Sequence, residues 1–84
     1  MAKDGKKVGE VTHFYNNIGV GIIKLSAPIK LGDSLRFQGS STEFDQQITE
    51  IQFDHKPIEA GKKGQEVGIK LAERVREGDE VFLI

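Results

Sequence analysis

Few residues in this chain could act as nucleophile, base or metal ligand. Gly32-Asp33-Ser34-Leu35 spells a context in which some hydrolases carry their serine. Such a serine needs a base within reach, a group to orient that base, and an oxyanion hole. The only histidines are His13 and His55, and no Asp-x-x-His follows the serine. His13 falls on a strand-like segment and His55 in a turn, so each is a poor candidate for a metal ligand. There is no cysteine, which removes thiolate nucleophiles, thiolate zinc sites and disulfides together. Gly61-Lys62-Lys63-Gly64-Gln65-Glu66-Val67-Gly68 lacks the Lys-Ser/Thr ending that cradles a nucleotide phosphate. The expectation is a chain without catalytic residues, cofactor or metal, and with no nucleotide bound by this chain alone.

The Gly-Asp pair has a better explanation, because it occurs twice. Residues 29–37 read IKLGDSLRF and residues 75–83 read VREGDEVFL. In both, a branched apolar residue (Ile29, Val75) anchors the segment and a basic residue (Lys30, Arg76) faces water. Gly32 and Gly78 then supply a backbone conformation costly for other residues. Asp33 and Asp79 accept hydrogen bonds from nearby backbone N–H groups. A strand begins immediately afterwards. Ser34 is then the first residue of a strand, not a nucleophile. Local convergence explains the doubling better than internal duplication, since the flanks do not match.

The elements that carry these turns have strand length and composition. A first strand runs from about Lys7 to Phe14, with a bulge at Gly9 reconciling Val8 and Val11. Tyr15-Asn16-Asn17 turns the chain. A second strand, about Ile18 to Leu25, has Val20 and Ile22 on one face and Ile23 and Leu25 on the other. It must be buried on both sides or bent at Gly21. Leu35 and Phe37 point inward from the third. Thr42 to Asp54 forms a long fourth segment, with a bulge between Ile48 and Ile51. Ile58-Glu59-Ala60 is short enough for one helical turn, and Gly61 to Gly64 is a basic loop. Val67, Ile69 and Leu71 alternate cleanly, and Val81 and Leu83 lie on the last strand.

Length and composition fit this reading. Eighty-four residues make one domain, 37% hydrophobic and 30% charged, with a net charge of −1. No apolar run spans a membrane and no signal peptide is visible, so a cytoplasmic protein without a membrane partner is expected. The fold expected is all-β: a small, closed, antiparallel β-barrel of six to seven strands. Residues 1–6 form a flexible tail and 7–84 the domain. Closure suits a small domain because it removes exposed strand edges.

The order of features carries a resemblance. Ile29, Lys30, Gly32, Asp33, Leu35, Phe37 and Gly39 are followed by Ile48 and Ile51, then by Ala60, Gly61, Gly64, Val67, Gly68, Ile69 and Leu71. This resembles the β-barrel second domain of translational GTPases such as elongation factor Tu, and free-standing translation elongation factor-like proteins. It is also similar to the C-terminal barrel of collagenase-like peptidase-family proteins. The GTPase and third domains of the elongation factors are missing, and Pro28 stands where those factors often hold glycine. Every matched residue is an architectural glycine, a turn aspartate or a core aliphatic.

Two functions follow as expectations. The resemblance implies a non-catalytic module that binds tRNA or rRNA, or docks on the ribosome, within protein biosynthesis. Tyr15, Lys30, Arg36, Lys56, Lys62 and Lys63 are the RNA-binding candidates, with the tyrosine ring offered for base stacking. The alternative is an accessory subunit that binds a larger enzyme, RNA-modifying or peptidase-like.

Overall fold

The computed structural model describes residues 5–84, all of them in strands, turns or connecting segments. The expectation of a tail falls largely on residues 1–4, which lie outside the described residues. β1 (Lys6–Tyr15) and β2 (Val20–Leu25) form the first hairpin. β3 (Ile29–Lys30), β4 (Ser34–Gln38) and β5 (Glu43–Gln47) follow. Then come β6 (Ile51–Phe53), β7 (Lys56–Ile58), β8 (Ala60–Gly61), β9 (Glu66–Lys70) and β10 (Glu80–Leu83). The step from Ile58 to Ala60, where one helical turn is expected, runs from β7 into β8. No helix among the described residues is long and apolar enough to cross a membrane.

Eight strands form one curled antiparallel sheet in the order β5-β4-β10-β1-β2-β9-β6-β7, and β3 and β8 form a separate two-stranded ribbon. The fold is all-β as expected, but the closed barrel of six to seven strands is corrected to an open half-barrel with more, shorter strands. The cause lies in the segment from Thr42 to Asp54, where one long strand is expected and two are found. β5 pairs with β4 and β6 with β9, so the chain changes partners between residues 47 and 51. Backbone bonds continue on either side of that change, from Lys70 to the Glu50 carbonyl and between Ile48 and the Gly32-Asp33 pair, and a side chain links the two sides. Gln46 donates from Nε2 to the Lys70 carbonyl at 2.6 Å and accepts the Ala72 N–H on Oε1 at 2.8 Å. At the other margin, the edge strand β7 contains Pro57, which has no N–H to donate.

The alternation within strands sets the core. Phe37, Leu35, Ile23, Ile48 and Ile51 are among its largest fully buried side chains. The Phe37 ring stacks on Phe44 with centroids 4.9 Å apart. Along β1, the register against β10 shifts between Lys7 and Gly9. That bulge lets Val8 and Val11 both face inward, at 1% exposure each, despite their three-residue spacing.

The repeated Gly-Asp turn is present three times. Gly32, Gly64 and Gly78 have φ of 91°, 91° and 93°, the left-handed region that a side chain disfavours. Each turn closes with a backbone bond, from Asp33 to the Lys30 carbonyl (3.2 Å), from Gln65 to Lys62 (3.1 Å) and from Asp79 to Arg76 (3.0 Å). Each is buttressed by a side chain accepting the N–H three residues back. Asp33 accepts from Lys30 at 2.9 Å, Gln65 from Lys62 at 2.8 Å and Asp79 from Arg76 at 2.8 Å. The basic loop of residues 61–64 is therefore part of a third copy, with glutamine in place of aspartate.

All three turns grip the sheet alike. Gly32 donates to the Ile48 carbonyl (3.0 Å) while the Ile48 N–H donates to Asp33 (2.8 Å). Gly64 and Gln65 bracket Leu25 at 2.9 and 2.8 Å, and Gly78 and Asp79 bracket Val11 at 2.8 Å for both bonds. Ile48, Leu25 and Val11 are core residues. Each turn thus fastens the chain to one buried aliphatic before the next strand starts.

Candidate docking groove

β2 has apolar residues on both faces because it lies near the middle of the sheet and meets two environments. Ile23 and Leu25 enter the core, whereas Val20 and Ile22 point outward and are only half-buried. On the neighbouring β9, the residue in register with Ile22 is Gly68, and Gln52 of β6 lies on its other side. The missing side chain leaves a depression. A β-carbon on Gly68 would meet Val20 Cγ1 at 3.1 Å and Ile22 Cδ1 at 3.6 Å, so both side chains lean over the glycine.

Two turns wall the depression. The turn between β1 and β2 brings up Ile18, which is 57% exposed, and Tyr15, which is 48% exposed. Lys70 fixes that turn by donating from Nζ to the Ile18 carbonyl at 2.7 Å. The second wall is the β6–β7 hairpin, whose central residues Asp54 and His55 have φ of 55° and 63°. Positive φ at both positions is the primed hairpin turn that matches strand twist, and Asp and His tolerate it better than most residues. The result is two adjoining hollows of about 420 and 250 Å³ sharing Ile18, Val20, Gln52 and Gly68. The hollow lined by Tyr15, Ile18, Val20 and Ile22 opens on the outer sheet face.

The residues singled out from sequence are scattered by the topology. Tyr15 lines the groove. Lys30, on β3, is in register with Ala60 of β8, and Lys62 and Lys63 follow that strand, so these three gather around the small ribbon. Lys56 lies on the edge strand β7. Arg36 lies on β4, next to the opposite edge, with its guanidinium engaged by Asp45 at 2.8 and 3.1 Å. Those hydrogen bonds are the main cause that holds the Asp45 carboxyl below the usual aspartate range, with desolvation opposing them and the Arg36 charge adding to them.

Of the chemistry-bearing residues, His55 stands in the groove wall, while Asp33, Ser34 and His13 sit elsewhere. Asp33 is occupied in its turn, and Ser34 is exposed at the start of β4. His13 packs edge-on against Tyr15 with centroids 4.3 Å apart, and its Nδ1 lies 3.5 Å from Glu77. Among the described residues, no group of three or more His, Asp or Glu is placed to hold a metal ion. Sequence reasoning missed Ile18, Gly68 and Asp54 as groove residues. The usable signal was the outward pair Val20 and Ile22, which demands a cover.

Fold and groove together define an all-β domain with an open hollow on its outer sheet face. The chain is 38% identical over 79 residues, 93% of its length, to an uncharacterized protease of Methanocaldococcus jannaschii, of which it covers 19%. It is 27% identical over 77 residues to a collagenase of Porphyromonas gingivalis, covering 89% of this chain and 21% of that one. The chain thus spans about a fifth of the length of the curated relatives it matches. No family model matches. Among solved structures it is similar to the C-terminal domain of a "putative U32 peptidase" of Geobacillus thermoleovorans. The TM-score is 0.88 at 18% identity, with 100% of this chain and 99% of that one covered. The selenomethionine variant of that domain also gives 0.88, at 19% identity over 92% of this chain and 98% of that one.

These findings correct the translation-factor reading. The relatives are named protease and collagenase, and the matching domain is described as part of a peptidase. The collagenase-like half of the resemblance holds. The translation elongation factor-like, RNA-binding and protein-biosynthesis assignments do not, and nothing supports tRNA, rRNA or the ribosome as partner. The error has a physical source: the residues that carried the resemblance build turns and core, and these report a fold rather than a ligand.

Proposed function

We propose that this chain is a non-catalytic accessory module that docks against a larger, peptidase-like catalytic part. The observation that supports this reading is the uneven coverage: 93% of this chain matches only 19% of the archaeal protease. A whole domain here corresponds to one fifth of a larger protein there. The chemistry of the chain agrees with the reading. Its one Gly-Asp-Ser is a turn leading into a strand, and its aspartates and glycines at such turns fasten the fold. Its outer sheet face carries apolar surface suited to a protein neighbour.

The test uses the Methanocaldococcus protease expressed without its matching fifth. Mixed with this chain, it is expected to co-elute in size-exclusion chromatography with light scattering. Separate elution at micromolar concentrations, or peptide hydrolysis by this chain alone, overturns the proposal.

A further inference from the structure

The groove has an apolar floor and a charged rim, and the rim is acidic. Glu50, Asp54 and Glu66 border it, with Lys70 and His55 as the basic groups. The Lys70 ammonium is already committed to the Ile18 carbonyl. Glu66 accepts the Thr12 hydroxyl at 3.2 Å. Lys24 lies opposite Glu66 in the register, yet no ion pair joins them, and none engages Glu50 or Asp54 among the described residues. Three carboxylates therefore surround an exposed apolar hollow without a matching set of cations.

We infer that this groove takes an apolar side chain of a partner protein segment in which Lys or Arg residues flank the apolar anchor. The inference rests on the accessory-module reading and adds to it the place and chemistry of docking. An anchor of Leu or Phe size lies in the hollow against Ile18, Val20 and Ile22. Its basic flanks meet Asp54 and Glu66 at one end and Glu50 at the other. Buried anchors with complementary charge around them are the usual division of labour at interfaces: the anchor supplies affinity, the charges supply orientation and rate. The rim selects against polyanions for the same reason. The hairpin at Asp54 and His55 serves this arrangement, since a tight two-residue turn fixes the carboxylate at the rim.

Two synthetic peptides with the same Leu-Phe centre, one flanked by lysines and one by glutamates, test the inference on the isotope-labelled chain by NMR. The lysine-flanked peptide is expected to shift the amides of Ile18, Val20, Gly68 and Asp54, and to bind about tenfold more tightly than the other. Ile18→Glu removes that binding. The double variant Asp54→Lys, Glu66→Lys reverses the preference, with the dispersion of the remaining spectrum reporting an intact fold. Equal affinity for both peptides, shifts centred elsewhere, or no shifts at millimolar peptide overturns the inference. The two proposals fail separately. If the truncated protease still co-elutes with the Ile18→Glu variant, docking occurs elsewhere and only the groove assignment falls. If the wild-type chain binds the lysine-flanked peptide in the groove but not the truncated protease, the accessory reading falls and the groove stands.

Discussion

Gly39 and Asp79 approach so closely that a β-carbon at position 39 would overlap the Asp79 carboxylate. Asp79 is 5% exposed and accepts the Arg76 N–H, so it has little room to move. Gly39→Ala is expected to destabilise the domain by about 2–3 kcal/mol, the cost of overpacking a buried hydrogen-bonded group. Gly32→Ala, at a site with open space but φ of 91°, is expected to cost only about 1–2 kcal/mol. Urea unfolding of both variants checks the order, and a larger loss at position 32 would contradict it.

The three turns supply a graded series. Asp33→Ala, Gln65→Ala and Asp79→Ala each remove an acceptor from a backbone N–H. By analogy with helix caps, each costs about 0.5–2 kcal/mol. The largest loss is expected at Asp79, whose side chain is buried and whose bond to the Arg76 N–H is part-buried where the other two are exposed. Thermal unfolding ranks them, and equal losses at all three would show that burial of the turn is immaterial.

Arg36 and Asp45 give a pH dependence with a definite sign. The Asp45 carboxyl titrates below the usual aspartate range because Arg36 hydrogen-bonds its ionised form. A depressed folded value stabilises the fold at pH above the unfolded value, and that contribution is lost as pH falls through the folded one. Arg36→Gln is expected to return the Asp45 titration toward the usual range. Carboxyl-carbon NMR measures it directly, and an unmoved midpoint would refute the pairing.

Gln46 carries the seam between β5 and the end of β9. Gln46→Ala leaves the Ala72 N–H and the Lys70 carbonyl without this partner. Faster hydrogen exchange at Ala72 is expected, with a stability loss of about 1–2 kcal/mol. Unchanged exchange there would mean that the seam is held by other means.

Local chemistry was legible in the sequence and long-range pairing was not. The turns at Gly32 and Gly78, the inward Leu35 and Phe37, and the bulge at Gly9 follow from residue type and two-residue alternation. The third turn escaped notice because Gln65 replaces the expected aspartate and its two lysines suggested a loop. The open sheet escaped because Ile48 and Ile51 show that the chain bends, but not that it leaves one neighbour for another. The groove was half visible: Val20 and Ile22 conflict with a wet outer face. Its floor depends on Gly68 falling in register between Ile22 and Gln52, which only strand order decides.

The open half-barrel leaves two margins, β5 and β7. Pro57 denies the β7 margin a donor, and the Gln46 amide ties β5, the strand at the other margin, to groups at the end of β9. Strand addition at the β7 margin therefore meets a position that cannot donate, which favours contact through side chains there.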